Sequence, residues 1–242
     1  MGGYGVFEQR ARESELLDRP DADPRLVEQS YRFMRGVNRT GGGIRVVRRF
    51  LEQELSRSPS GRMVTILDIG SGDCDIPLAL AQWAGERGYK VEFMCLDHDA
   101  KAVELAQRKI ARCNCHTVKA VQADILTYRP AHGFDYAIGS MTFHHFTDDQ
   151  IDRLITHLRG FVRKAVLIND LHRCPVNYIA CLILALGVDP AIRHDGLLSI
   201  RRGFKPAELA RMLAKHDPPP VVRRAWFRRV TGVVRFDREG GA

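Results

Sequence analysis

A glycine-rich loop follows the first short apolar run of the chain and is the first candidate for a ligand-binding segment. It reads Asp68-Ile-Gly70-Ser71-Gly72, and Asp73 and Asp75 come directly after it. Glycines allow a tight turn and a close approach of the backbone to a ligand. A dinucleotide loop would have a third glycine where Asp75 stands, with a pyrophosphate resting on the helix N-terminus. Two carboxylates there repel a pyrophosphate, so the loop argues against NAD and favours a cationic ligand.

Acidic residues recur where the next apolar runs end. Asp97 follows the run 91–96, and Asp124 follows the run 117–121. Ligands of open α/β sheets bind beyond the carboxyl ends of the strands. A carboxylate at Asp97 can accept both hydroxyls of a ribose, and one at Asp124 can meet the exocyclic amine of a purine. Together with the acids of the glycine loop, they predict a site for an amine-bearing nucleoside that carries no charged phosphate.

Two adjacent histidines, His144 and His145, lie just beyond the fourth predicted strand, Phe134 to Ile138. Histidine titrates near neutral pH, and it can remove the proton of a phenol or an enol and so create a nucleophilic oxygen. We rank His145 first and His144 second as this base; the alternative is that one caps a helix and the other packs beneath it. Successive residues of a helix diverge by about 100°, so we expect no metal between them.

The fifth predicted strand, Val166 to Ile168, leads into further polar residues on the same edge. Asp170 and His172 are expected either to orient a substrate or to belong to a capped, solvent-facing loop. Arg201 can recognise an acidic group of a substrate, or it is solvated. Between them, the stretch Pro175 to Leu186 is apolar almost all round. This predicts a helix that is buried on every side or lines an apolar pocket or a dimer interface, so a homodimer is compatible with the sequence.

The elements that must position these residues alternate in type. Short apolar runs and helical segments follow one another from Val64 to Ile168, which predicts a parallel, doubly wound α/β sheet. The predicted helices are Ile76 to Arg87, which Asp75 caps, Lys101 to Arg112, and Asp148 to Phe161. Two final strands, Val221 to Trp226 and Val230 to Phe236, follow each other closely and are expected to pair as an antiparallel hairpin.

The N-terminal part of the chain has a different periodicity. Residues 8–55 read as helical, in two amphipathic segments that the glycines 41–43 separate. Their apolar faces need burial, and the strand ends need exclusion of water. We therefore expect residues 8–55 to cover the open end of the ligand site as a helical cap.

Composition excludes several classes of protein. Hydrophobic residues make up 45% of the 242 residues and charged residues 27%, which is typical of a globular chain. The longest uncharged stretch, Cys174 to Val188, is shorter than the roughly 20 residues that a bilayer span needs. The first residues show no apolar signal core, so a cytosolic location is expected. The cysteines, Cys113 and Cys115 among them, form no CxxC pair and are expected to be reduced thiols that bind no metal.

The positive charge is concentrated at the C-terminal end. Of a net charge of +8, residues 201–242 contribute 11 Lys and Arg against 4 Asp and Glu. Such a surplus is typical of a solvated basic face, or of a protein that binds nucleic acid or phosphate.

Residues 64–140 resemble the cofactor half of class I S-adenosylmethionine-dependent methyltransferases. Asp68-x-Gly70-x-Gly72 is similar to the first motif of that family, Asp97 to its ribose-binding acid and Asp124 to its adenine-contacting acid. Cys74 departs from the pattern, because the family often has a third glycine there. The resemblance implies that S-adenosyl-L-methionine is the cofactor. The residues that it implies for the cofactor site are Asp68, Gly70, Ser71, Gly72, Asp97, His98, Asp124, Ile125 and Ser140.

The predicted fold class is a Rossmann-like, doubly wound sheet of seven strands. It is mostly parallel, with a C-terminal antiparallel hairpin that matches the sheet of the family, and an N-terminal helical cap precedes it. The predicted divisions are a cap over residues 1–57 and a methyltransferase domain over residues 58–242. A substrate-side insertion is expected at about residues 172–204.

The chain is most similar to the small-molecule branch of the family, such as quinone- and polyketide-modifying enzymes. The resemblance therefore implies methyl transfer to a hydrophobic small molecule, with O-methylation of a phenol, an enol or a polyketide-like acceptor ranked first. Nucleic acid is not expected as a partner, and no membrane span is expected. Two alternatives stay open: an RNA methyltransferase that uses the basic C-terminal end, and a non-catalytic scaffold that binds the cofactor.

Overall fold

Two helices and an irregular segment form the N-terminal part of the computed structural model, which describes residues 5–58, 61–225 and 229–236. Helix α1 spans Pro24–Thr40 and helix α2 spans Gly43–Leu55. Gly42, with a φ of 75°, makes the turn between them, as the glycine triplet predicts. Residues 8–23 form turns and irregular structure, so the expectation of helix over this part is wrong. This segment is fixed by its side-chain contacts with distant parts of the chain and has no helical periodicity of its own.

A single seven-stranded sheet forms the centre of the molecule. Its order is β3-β2-β1-β4-β5-β7-β6, with five parallel strands followed by an antiparallel pair at one edge. The strands are β1 Val64–Ile69, β2 Val91–Asp97, β3 Val118–Gln122, β4 Phe134–Ser140, β5 Val162–Leu171, β6 Val221–Ala225 and β7 Arg229–Arg235. The predicted fold class is confirmed. Trp226, predicted as the end of a strand, lies outside the described residues.

Helices pack on both faces of the sheet. They are α3 Asp75–Glu86, α4 Ala100–Arg112, α5 Asp148–Leu158, α6 Pro175–Leu184, α7 Pro190–Arg202 and α8 Pro206–Leu213. Alternate residues of each strand supply the two cores: Ile66 packs with helices α2 and α3, and Leu67 packs with helices α5 and α8. Because α2 supplies Val47, Phe50, Leu51 and Leu55 to one core, it is part of the central fold as well as of the N-terminal region.

Strand β5 is longer than its sequence indicates. It runs to Leu171, so Asn169 and Asp170 belong to the strand and do not follow it. Both neighbouring strands satisfy its backbone, β4 in parallel and β7 in antiparallel pairing. The polar side chains find partners inside the molecule: Asn169 Nδ2 donates to Ser140 Oγ at 2.9 Å. A polar residue can therefore lie in a fully buried strand where its partners are also buried.

Helix α6 presents apolar side chains to the outside. None of its ten residues, all of them described, is buried, and Ile179, Ile183 and Leu184 are more than half exposed. The prediction that this helix is buried on every side is wrong, while its use as a dimer interface stays a prediction. Within the described part of the chain, no helix is long and apolar enough to cross a membrane.

Candidate active site

A cavity of about 850 Å³ lies at the carboxyl ends of the parallel strands. This is the edge where an open α/β sheet binds its ligands, next to the point where the strand order reverses between β1 and β4. The loops after β1, β2, β3 and β4 form its floor, and residues of the N-terminal region and of α7 form its roof. Its size is in the range of small-molecule sites.

The glycine loop after β1 packs too tightly to accept side chains. Gly70 has a φ of 62°, and a Cβ built on it would lie 2.4 Å from Thr142 Cγ2. Gly72 has a φ of 53°, and its Cβ would lie 2.7 Å from Tyr31 Cε1 of helix α1. Cys74, which stands where the resembled family often has glycine, also has a left-handed conformation, with a φ of 59°. It is the N-cap residue of α3, so the prediction that Asp75 caps this helix is wrong.

Asp97 and Asp124 both line the cavity, as does the segment around each of them. Asp97 ends strand β2 and accepts hydrogen bonds from the backbone N–H of Gly72 at 2.8 Å and of Asp99 at 3.0 Å. These bonds couple the ends of β1 and β2. Burial raises the pKa of Asp97 above its usual value, while the two backbone bonds act against this shift. Asp124 accepts from the backbone N–H of Leu126 at 2.9 Å and closes the turn after β3.

The other carboxylates of the glycine loop have different environments. Asp68 is buried within the sheet, and burial together with Asp75 and Asp97 raises its pKa well above the usual range. Asp73 is ion-paired with Arg35 of α1, and Lys109 Nζ of α4 lies 2.9 Å from it. The negative charge of Asp73 is thus compensated, so the sequence-based argument that it repels a pyrophosphate does not hold.

His144 is buried among acidic residues. Its Nδ1 donates to Asp170 Oδ1 at 2.7 Å, and its Nε2 faces Glu15 Oε1 at 3.6 Å. Burial alone would lower the pKa of His144, but the charges and hydrogen bonds of Asp170 and Glu15 outweigh it and raise the pKa. Glu15 belongs to the irregular segment before α1 and accepts from Ser199 Oγ of α7 at 2.7 Å.

His145 faces the same carboxylates from the cavity side. Its side chain is about 31% exposed; its Nδ1 lies 3.1 Å from Asp18 Oδ2 and its Nε2 lies 4.0 Å from Glu15 Oε1. The two histidines form a turn of 3-10 helix over Phe143–His145, and their ring centroids are 4.3 Å apart. The two rings thus lie side by side, and the expectation that adjacent histidines diverge is wrong here.

Two arginines hold this histidine turn in place. Arg202 Nε donates to the carbonyl oxygen of His144 at 3.2 Å, and one of its terminal nitrogens donates to that of His145 at 3.0 Å. Arg10 donates to the carbonyl oxygens of His144 at 3.1 Å and Phe146 at 2.9 Å. The turn thus depends on one residue of α7 and on one residue from the start of the chain.

The structure brings some of the predicted site residues together and separates others. Those that line the cavity are Gly70, Gly72, Asp97, His98, Asp124, Ile125, His144 and His145. Among the described residues, the lining includes neither Ser71 nor Ser140, and it includes no residue of α6. Asp68 and Asp170 are buried behind it. His172 lines a second cavity, and Arg201 lies near Glu13, at 3.5 Å.

Sequence reasoning missed Glu15, Arg10 and Tyr31. Glu15 and Arg10 lie in a segment without periodicity, and they reach the site through contacts with residues far away in the chain. Only an apolar stripe, to which Val27 and Met34 belong, marks α1 as a helix that faces the site.

Comparison with known proteins identifies the class. Residues 66–165 match the family described as a methyltransferase domain. No curated protein sequence matches the chain. Three solved structures are similar in fold. Magnesium protoporphyrin IX methyltransferase from Synechocystis PCC 6803 with bound SAH has 15% identity and a TM-score of 0.55, over 81% of this chain and 82% of that one.

The other two structures align with a larger share of this chain. Plantazolicin methyltransferase BpumL in complex with SAH has 13% identity and a TM-score of 0.66, over 90% of this chain and 92% of that one. The S-adenosylmethionine-dependent methyltransferase SibL in its apo form has 19% identity and a TM-score of 0.63, over 97% of this chain and 65% of that one. These likenesses show the fold. With the methyltransferase domain at residues 66–165, they bear out the prediction of an S-adenosylmethionine-dependent methyltransferase.

Proposed function

We propose that this enzyme transfers the methyl group of S-adenosyl-L-methionine to a hydroxyl oxygen of an apolar small molecule. The observation that carries the proposal is the single cavity in which two acidic strand ends face a pair of histidines. The first feature suits a nucleoside with cationic groups, and the second suits a hydroxyl that must lose its proton.

The cofactor half of the site supports S-adenosylmethionine through its shape and charge. Gly70 and Gly72 line the cavity without side chains of their own, and we assign Asp97 to the ribose hydroxyls and Asp124 to the adenine amine. Burial raises the pKa of both Asp68 and Asp75, and a sulfonium or ammonium group bound in front of the loop would favour their charged forms. Three further residues remain predicted cofactor contacts: Ser71, Ser140 and His98. Because the two serines do not line the cavity, they would reach the cofactor only after a movement of their loops.

The part of the cavity assigned to the acceptor combines an apolar wall with the polar groups around the histidines. Val27, Phe33, Met34, Met141 and Phe146 line it, which favours an acceptor with an aromatic or polyketide-like body. Two of the similar structures are named as methyltransferases of magnesium protoporphyrin IX and of plantazolicin, which accords with a small-molecule acceptor.

The proposed chemical step is an in-line displacement at the methyl carbon. His145 is the exposed member of the pair, and we assign it to take the hydroxyl proton while the oxygen attacks the methyl group. The new O–C bond forms as the C–S bond breaks, and the electron pair stays on sulfur to give S-adenosylhomocysteine. His144 is proposed to assist by fixing the turn and the charge next to His145.

We propose different roles for the three predicted substrate contacts, Asp170, His172 and Arg201. Asp170 acts through His144 as a positioning residue. His172 and Arg201 would contact only a substrate that extends beyond the cavity. The division at residue 57, the insertion at residues 172–204, the cytosolic location and the homodimer stay predictions.

The experiment is transfer of a labelled methyl group from S-adenosylmethionine into an extract that is then separated into lipid, small-molecule and RNA fractions. Label in the small-molecule or lipid fraction is expected. Label in RNA would replace the proposal with the RNA alternative. Tight binding of the cofactor without transfer to any fraction would favour the scaffold.

A further inference from the structure

Three potential metal ligands converge at the roof of the cavity. His144 Nε2 and His145 Nε2 lie 3.6 and 4.0 Å from the same oxygen, Glu15 Oε1. One ligand atom from each of these three residues lies within 4.8 Å of the other two. Among the described residues, they form the one cluster of His, Cys, Asp and Glu with this geometry. Two histidines and one carboxylate are a common ligand set for divalent transition metals.

Each of these three ligands is oriented by a second polar group. Asp170 accepts from His144 Nδ1 at 2.7 Å, and Asp18 Oδ2 lies 3.1 Å from His145 Nδ1. Because Nδ1 of each imidazole is directed to a carboxylate, Nε2, the atom that faces Glu15, is the nitrogen that would bind a metal ion in place of a proton. Ser199 Oγ donates to Glu15 at 2.7 Å and fixes that carboxylate. Carboxylate–histidine pairs of this kind accompany most histidine-bound metals, because they fix the tautomer and raise the basicity of the ligand.

One potential ligand atom of this cluster is buried and lacks a hydrogen-bond partner. His144 Nε2 is fully buried and has no hydrogen-bond partner. Its distance of 3.6 Å from Glu15 exceeds a hydrogen bond. Two ligand atoms on one tetrahedral metal ion, each at about 2.0–2.1 Å, are separated by about 3.4 Å. The 3.6 Å between His144 and Glu15 is therefore too long for a hydrogen bond and close to the separation across a metal ion, while His145, at 4.0 Å, would move slightly towards Glu15 to bind the ion.

We propose that Glu15, His144 and His145 bind one divalent transition metal ion, with Zn²⁺ as the ion that the ligand set fits best. Three protein ligands leave a coordination position open, which is typical of catalytic zinc sites. Because Glu15, His144 and His145 all line the cavity, an ion bound by them would be accessible to a molecule in the cavity.

The inference rests on the proposed function and changes the activation step within it. With the ion bound, His145 is a ligand and no longer the proton acceptor. The acceptor hydroxyl takes the open position, and the positive charge lowers its pKa, as it does for zinc-bound water. The proton is released to water, and the metal-bound oxygen then attacks the methyl carbon while sulfur keeps the electron pair. The metal undergoes no change of oxidation state.

The test is binding of the metal to the full-length protein after removal of metal with a chelator. Zn²⁺ is expected to bind with one ion per chain in calorimetry. Co²⁺, used as a spectroscopic substitute, is expected to give visible d–d bands without the near-ultraviolet band of a thiolate ligand. Glu15→Gln and His145→Ala are expected to abolish this one-to-one binding. Asp18→Asn is expected to weaken it by about 10–100-fold, the range for second-shell partners.

Matched controls exclude a surface site. His116→Ala removes an exposed histidine, and the double substitution Cys113→Ser and Cys115→Ser removes the nearby thiols; neither is expected to change Zn²⁺ binding. His144 is so deeply buried that His144→Ala can fail to fold, which is why the two more peripheral ligands carry the test. Circular dichroism of each variant shows whether it is folded.

The outcomes separate this inference from the proposed function. If the chelated protein binds neither Zn²⁺ nor Co²⁺ at its histidines, or binds them equally well after Glu15→Gln and His145→Ala, the metal site is overturned. Methyl transfer by the chelated protein at an unchanged rate also overturns the role of the metal, while the methyltransferase activity stands. Loss of transfer on chelation with recovery on addition of Zn²⁺ supports both. Zn²⁺ binding without any transfer supports the site and overturns the proposed function.

Discussion

Asp97 is the residue at which the cofactor assignment can be tested most directly. The change Asp97→Ala is expected to weaken S-adenosylmethionine binding by about 1–3 kcal/mol, because a charge-assisted hydrogen bond to the ribose is lost. Isothermal titration calorimetry measures the difference. Glu92→Ala, an exposed position on the same strand, is the control and leaves the affinity unchanged. An unaltered affinity in Asp97→Ala would contradict the ribose assignment.

Asp68 and Asp135 are both buried, and we expect their substitution by asparagine to change the stability of the fold in opposite directions. Burial and neighbouring acids raise the pKa of Asp68, so its charged form opposes folding. The penalty is present above the unfolded pKa and grows as the pH rises towards the folded pKa. Asp68→Asn is therefore expected to raise the free energy of unfolding at neutral pH, with a gain that disappears in acid. Urea denaturation between pH 4 and 8 is the measurement.

The matched change at Asp135 tests whether burial alone decides the effect. Asp135 accepts from Arg62 at 2.6 Å and from the backbone N–H of Thr65 at 3.1 Å. Asp135→Asn is expected to lower the free energy of unfolding by about 1–3 kcal/mol, since charged hydrogen bonds are lost. A gain in stability at both positions would show that the paired contacts of Asp135 contribute nothing.

The acids at the strand ends could be predicted because each one directly follows an apolar run. Asp97 and Asp124 occupy the predicted edge of the sheet for that reason. Glu15 could not be predicted in this way. It lies in an irregular segment, and its position depends on Ser199 and on the histidine turn. A sequence shows local periodicity, whereas contacts between distant segments follow only from the complete fold.

The segment before α1 is an element without regular secondary structure, but it completes the site. Arg10 and Glu15 belong to it, and in the part from Gly5 to Ala22 Glu15 alone is buried. Deletion of residues 1–22 is therefore expected to leave the core folded and cofactor binding intact, while methyl transfer falls to background. Circular dichroism, calorimetry with S-adenosylmethionine and the labelled-methyl assay measure these three properties separately. Transfer at a normal rate by the shortened chain would exclude a role for this segment.

Two elements show why the predicted boundaries differ from the observed ones. Strand β5 extends through Asn169 and Asp170, because strands on both sides pair with its backbone. Apolar periodicity cannot indicate this, since Asn169 Nδ2 and the Asp170 carboxylate find their partners on other elements. Helix α6 shows the opposite case: its composition is apolar, but the fold leaves it at the surface. Composition reports what a helix would gain from burial, and it does not show where the helix packs.

At the scale of the whole molecule, cofactor binding should stabilise the fold. The cavity joins the loops of four strands to helix α1, so a bound ligand links the two parts of the chain. A ligand at 100 times its dissociation constant adds about 2.7 kcal/mol. For a chain of this size, that corresponds to a rise in Tm of roughly 5–10 °C. Differential scanning fluorimetry should show the rise with S-adenosylmethionine and S-adenosylhomocysteine. An equal rise with NAD would contradict the assigned cofactor.

We expect the contact of Tyr31 with Gly72 to slow the release of the product. The Tyr31 ring lies directly over the glycine loop, and Arg35 of the same helix is ion-paired with Asp73. We therefore expect helix α1 to move away as S-adenosylhomocysteine leaves, and such a motion can limit kcat. We expect kcat to fall as sucrose raises the viscosity of the buffer. In Tyr31→Ala this dependence should be weaker, because the product then leaves past a smaller obstacle.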